Sequence, residues 1–157
     1  QKHETKEIFS EESNDEDEEI PQLDDLYVIH LRADEEVFSE SSISQALVFY
    51  NFRIEEKGFF TLLDSNNSPN FCLLNGKNPG TFTINASSND IALVLDPTDL
   101  SNPMGSFELF VEVAQSLKET FQCELLDQDR NLMTKQMIEH MKYQLHEHQR
   151  QFLSSVG

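Results

Sequence analysis

The residues that could do chemistry are Asp127, Asp129 and Asn131, the three late histidines, His30, and the two cysteines. The first three mimic the D-x-D-x-N opening of a calcium loop. The sixth position is Leu132, where the sharp turn needs Gly, and the twelfth is Ile138, where Glu should close the shell. His140, His146 and His148 stand beside Glu139 and Glu147, at spacings of six and two; ligands on one helix face need i, i+3 or i+4. They read as surface histidines. His30 is the lone polar residue of an apolar run, an edge-of-patch side chain rather than a base. Cys72 and Cys123 form neither CxxC nor a zinc spacing, and two thiols make no disulfide framework, so a reducing compartment is expected. G-x-S-x-G, Walker A, G-x-G-x-x-G and H-E-x-x-H are all missing. Asn78-Pro79-Gly80 is a turn, and Asn85-Ala86-Ser87 is a sequon that matters only in a secreted chain. The expectation is a chain without catalytic centre, metal or cofactor.

Charge narrows the partners. The 157 residues carry a net −18, and residues 1–25 hold eleven acids against two lysines, half of that total. No basic footprint exists for a phosphate backbone, so nucleic acid is not an expected partner. Ser10 to Asp25 is too polar to offset its ordering entropy, and 1–25 reads as a disordered acidic linker ahead of one domain over 26–157. No run reaches the ~20 apolar residues of a membrane span. The chain opens on Gln1, so it is expected to be a soluble piece of a longer protein, with any anchor upstream.

Something must position the domain's apolar residues. Leu26 to Leu31 is a strand-length apolar run, and Ile43, Ala46, Leu47 and Tyr50 mark a helix face. FRI, GFFTLL, NFCLL and DIALVL are short strands separated by turn formers. Phe107, Phe110, Val111, Ala114, Leu117 and Phe121 stripe a second helix. CELL is a last strand, and Thr134 caps a final helix striped by Ile138, Met141, Leu145 and Phe152. The fold class is α+β, with about six antiparallel strands and three helices.

These strands are apolar on both faces. Tyr27, Ile29 and Leu31 oppose Leu26 and Val28; Ile91, Leu93 and Leu95 oppose Ala92 and Val94. Either helices sheathe both faces, or one face is an exposed apolar patch of the kind that binds partners. The pattern alone leaves both open.

Pro79 to Phe82 (PGTF) and Leu125 to Met141 (LLDQDRNLMTKQMIEHM) resemble the C-terminal domain of the ZipA cell-division family, which shares a PGTF turn and an LDDQRRMMTPQ-like entry to its last helix. Ala114 to Phe121 is similar to the family's second helix; the resemblance runs without a gap from about Ala92 to Leu145, and from Leu26 to Leu74 it is weaker but colinear. The resemblance implies a split β-α-β fold: a six-stranded antiparallel sheet, three helices on one face, the other face exposed. It further implies a monomeric, non-catalytic adaptor whose bare face takes the C-terminal tail peptide of FtsZ in a shallow groove, at the cytoplasmic face of the bacterial inner membrane. The membrane anchor would lie in a region absent from this chain. The alternative reading is a structural domain that oligomerises by pairing the same faces.

Carried over position by position, the resemblance assigns Leu26 and Val28 of the first strand to the groove. The second strand offers Lys57 and Phe59, the third Leu74, Gly76 and Asn78, the fifth Ala92 and Val94; Arg130 is the expected basic neighbour. Lys57 and Gly76 stand where the family usually has methionine, Asn78 where it has lysine, and Val94 where it has phenylalanine. At roughly 25 cal/mol per Å² of apolar surface, these exchanges weaken docking by about a few kcal/mol.

Overall fold

The computed structural model describes residues 26–156 apart from 84, 85 and 99. The acidic segment 1–25, Asn85 of the sequon and the side chain of Phe152 lie outside the described residues. Six strands, β1 (Tyr27–Arg32), β2 (Phe52–Ile54), β3 (Phe60–Leu63), β4 (Pro69–Asn75), β5 (Asp90–Leu95) and β6 (Glu124–Leu126), form one sheet in the order β2-β3-β4-β5-β1-β6. Every pairing is antiparallel. Among the described residues three helices accompany it: α1 (Glu40–Ala46), α2 (Pro103–Phe121) and α3 (Lys135–Val156). The split β-α-β topology is visible in β1, which sits between β5 and β6, strands from much later in the chain.

Strand alternation sorts the two apolar sets. Tyr27, Ile29 and Leu31 of β1, Phe71 and Leu73 of β4, and Ile91, Leu93 and Leu95 of β5 are buried on one face. That face meets α2, which lies across β1, β4, β5 and β6. Phe107 stacks edge-on against Tyr27 at 5.7 Å, and Phe110 against Phe71 at 5.3 Å. Ile43 and Leu47 bring α1 to the same core, and α3 packs on α2 with Leu145 buried. The helices therefore share the core of one face, as the family resemblance implies.

Local chemistry explains the boundaries. Ser39 and Ser42 form a reciprocal capping box at the start of α1. Asn102 caps α2 with Pro103 in its first turn, and Gln122 ends it in the left-handed region at φ 53°. Thr134 Oγ1 accepts from Met137 N at 3.1 Å, which is the expected cap of α3. The first helix stops sooner than its spacing predicts: it ends at Ala46, and Phe49 is 94% exposed. Val48, Phe49 and Tyr50 are β-branched or aromatic, poor helix formers, and the Asn51 carbonyl is already engaged by Leu63 N at 2.8 Å.

Candidate functional site

The face opposite α2 is built from the other half of each strand. Register aligns Val28, Val94, Cys72, Thr61 and Arg53 in one row across β1, β5, β4, β3 and β2. A second row runs Leu126, His30, Ala92, Leu74. Val28, Leu74, Cys72 and Val94 are half-buried, and Ala92 and Leu126 are nearly covered by their neighbours. The middle of this face is thus apolar and shallow.

Polar clusters bound it on two sides. On the β2–β3 side, the Glu55 carboxylate accepts from the Thr61 hydroxyl and, at 2.9 Å, from Arg53 Nε. These bonds hold the Glu55 carboxyl below its usual range. On the β1–β5 side, the third row pairs Glu124, Arg32 and Asp90. Here the Asp90 carboxylate, with its side chain 7% exposed, lies 3.4 Å from His30 Nδ1 and is bonded by Arg130. Burial pushes the Asp90 carboxyl up, but the bonds from His30 and Arg130 outweigh burial and hold it below the ordinary range.

Of the expected groove residues, Val28, Leu74, Ala92 and Val94 are brought together on this face. Leu26 precedes β1 on the same parity and is 42% exposed. It lines a depression shared with Thr61, Cys72, Leu74 and Val94, and a second one that it shares with Val28 and with Met137, His140 and Met141 of α3. The second opens where β6 stops: it pairs only with His30 to Arg32, and among the described residues no strand lies on that side of Tyr27 and Val28.

Other placements need correction. Lys57 is in the β2–β3 turn rather than on the second strand, and Phe59 leads into β3. Leu74 belongs to the fourth strand; Gly76 and Asn78 lie past its end, in the turn that contains the cis Asn78-Pro79 bond. For Lys57 and Phe59 the cause is a short second strand, closed after Ile54 by a turn in which Gly58, at φ 102°, donates to the Glu55 carbonyl. Arg130, also left-handed at φ 71°, reaches the face through Asp90.

Residue-type reasoning missed Asp90, Cys72 and Leu126. Counting back by twos from Val94 through Ala92 reaches Asp90, and from Leu74 reaches Cys72, so strand parity held the signal. Asp127 also has a plain role: its Oδ1 accepts from the backbone of Asp129 and Asn131, shaping the turn before α3. Among the described residues no cluster of His, Cys, Asp or Glu suits a metal ion. Burial pushes the Cys72 thiol up, the wrong direction for a thiolate nucleophile. What the face offers is burial of apolar side chains with hydrogen-bonding groups at two margins.

Comparison with known proteins agrees with this geometry. Residues 25–144 match the family described as ZipA, C-terminal FtsZ-binding domain. The chain is 28% identical over 144 residues to the cell division protein ZipA of Azotobacter vinelandii, covering 87% of this chain and 50% of that protein. Against ZipA of Pseudomonas aeruginosa strain LESB58 it is 27% identical over 139 residues, 83% of this chain and 48% of that one. A shorter match to ZipA of Colwellia psychrerythraea reaches 31% over 84 residues, 51% of this chain and 22% of that protein. The chain therefore spans about half the length of the first two relatives. With the matched region covering the whole sheet, α1, α2 and the first part of α3, the chain belongs to the ZipA C-terminal FtsZ-binding domain family.

Proposed function

We propose that this domain is a non-catalytic adaptor that docks the C-terminal tail peptide of FtsZ on the sheet face opposite α2. The observation that carries the reading is the pair of register rows that gather Val28, Val94, Ala92, Leu74, Cys72 and Leu126 on that face. An apolar band of this kind suits a peptide that presents apolar side chains, extended or at helical spacing. The family's FtsZ-binding description names the partner. An interface this small falls at or below the low end of roughly 1,200–2,000 Å², which corresponds to about micromolar affinity. Weak single contacts serve a polymer well, because many tails on one filament meet many domains.

In the cell the domain would link the division ring to the inner membrane through a region outside this chain; among the described residues no helix is long and apolar enough to cross a membrane. Chemical-shift mapping with synthetic FtsZ tail peptide tests the docking site. Shifts are expected at Val28, Leu74, Ala92 and Val94 and not on the exposed face of α3. Shifts confined to the helices, or none at millimolar peptide, would remove the proposal. Sedimentation at rising concentration separates it from self-pairing through the same face, for which a single species near 18.1 kDa is the expected result.

A further inference from the structure

One margin of this face departs from an apolar groove for a reason that register alone does not show. Gly76 follows β4, and its amide donates to the Asp90 carbonyl at 2.8 Å. A Cβ added at Gly76 would lie 2.1 Å from Asp90 Oδ1 and 2.7 Å from its carboxyl carbon. The carboxylate therefore occupies the space that a side chain at position 76 would claim. Two cationic or hydrogen-bonding neighbours keep it there: His30 from β1 and Arg130 from the turn before α3. Ser88 fixes the backbone on the other side, its hydroxyl donating to the Asp90 carbonyl at 3.0 Å and accepting from the Asp90 amide at 3.1 Å.

Arg130 is consequently held over the face by one of its N–H groups while its side chain stays 42% exposed. A guanidinium carries five N–H donors in a fixed fork. Asp90 neutralises its charge but, among the described residues, pairs with only one of its nitrogens, and the side chain is exposed enough for the other donors to be reached. An apolar side chain laid against them would strip their water and return no bond, an unfavourable exchange. An acceptor from the docked segment restores the bonds at little ordering cost, because Arg130 is already positioned.

We infer that Asp90 is a specificity-determining positioning residue: by excluding any side chain at position 76 and anchoring Arg130, it makes this end of the groove a hydrogen-bond donor site. The segment that docks places an acceptor there, a carboxylate or amide oxygen, instead of an apolar side chain. This rests on the docking of the FtsZ tail proposed above. Neither Asp90 nor His30 need touch the peptide; they act through Arg130 and through the space they fill.

The test titrates fluorescent FtsZ tail peptide, and an alanine scan of it, against the 157-residue chain and the variants Asp90→Asn, Arg130→Gln, the double variant, and D90A/G76M. Asp90→Asn and Arg130→Gln are each expected to raise Kd three- to tenfold, and the double variant no further than the worse single. One polar position of the peptide should lose affinity on alanine substitution against the parent chain and lose nothing against Arg130→Gln. D90A/G76M should instead favour a peptide with leucine at that position, a preference that a merely structural loss would not create. If Asp90→Asn fails to fold, Arg130→Gln and D90A/G76M still decide. Unchanged Kd in Arg130→Gln together with no leucine preference in D90A/G76M overturns the inference while leaving the docking site intact. No binding by the parent chain overturns both.

Discussion

Asp90 and Gly76 are a matched pair: the carboxylate of one fills the position that any Cβ on the other would take, at 2.1 Å from Oδ1. Glycine at 76 thus follows from the residue opposite it, and the methionine that the resemblance makes usual at this position has no room here. Gly76→Ala should lower stability by about 1–3 kcal/mol, the usual range for overpacking. In an Asp90→Gly background the same substitution should cost less than half as much, a coupling that chemical denaturation of the four proteins measures. Equal costs in both backgrounds would show that the two positions are independent.

Acid should weaken the same cluster. The carboxyl of Asp90 is pushed up by burial but held below its ordinary range by His30 and Arg130, so it binds its proton less readily folded than unfolded. Its contribution is therefore fully present above the unfolded value of about 3.9 and disappears as pH falls through the folded value. The stability difference between the parent chain and Asp90→Asn should shrink as pH falls below about 4. A difference that grows over that acidic range would contradict the pairing.

The two cysteines should label at different rates. Burial raises both thiols, Cys123 to about 11, and Cys123 is buried whereas Cys72 is half-buried on the face proposed for docking. Iodoacetamide at pH 8 should alkylate Cys72 first, and saturating FtsZ tail peptide should slow that reaction while leaving Cys123 unaffected. Mass spectrometry of the labelled peptides reads both rates. Protection of Cys123 alone would place the peptide elsewhere.

The turn that closes β2 depends on Gly58. Its φ is 102°, and a Cβ there would lie 2.4 Å from the Phe82 carbonyl oxygen, whose own amide donates to the Gly58 carbonyl at 2.7 Å. Gly58→Ala should destabilise the domain by about 2 kcal/mol, combining left-handed strain with the collision. A midpoint within about 0.5 kcal/mol of the parent's would show that the PGTF segment can yield.

Much of the architecture was legible in the residues. Short apolar runs bounded by turn formers marked the strands, and Thr134 marked the start of α3, because these are local signals. The two-faced apolar pattern of β1 and β5 was legible too, but not its meaning: which face α2 covers depends on long-range packing that no single segment encodes. Lys57, Gly76 and Asn78 were placed on strands because a colinear resemblance carries residue order and not the exact turn at which β2 closes or β4 ends. The Asp90–Gly76 contact was hidden for a related reason. It joins positions that become neighbours only when β4 and β5 pair, and its consequence appears as an absent side chain.

The proposed docking of the FtsZ tail rests on the face bearing Val94 and Leu74. Titration of fluorescent FtsZ tail peptide against the parent chain, Val94→Glu and Leu74→Glu tests it most directly, with circular dichroism confirming that each variant is folded. Both side chains are half-buried on the sheet face away from α2, so a buried carboxylate there should raise Kd by at least a hundredfold, about 2.7 kcal/mol, in a folded protein. Unchanged affinity in two folded variants would contradict the account.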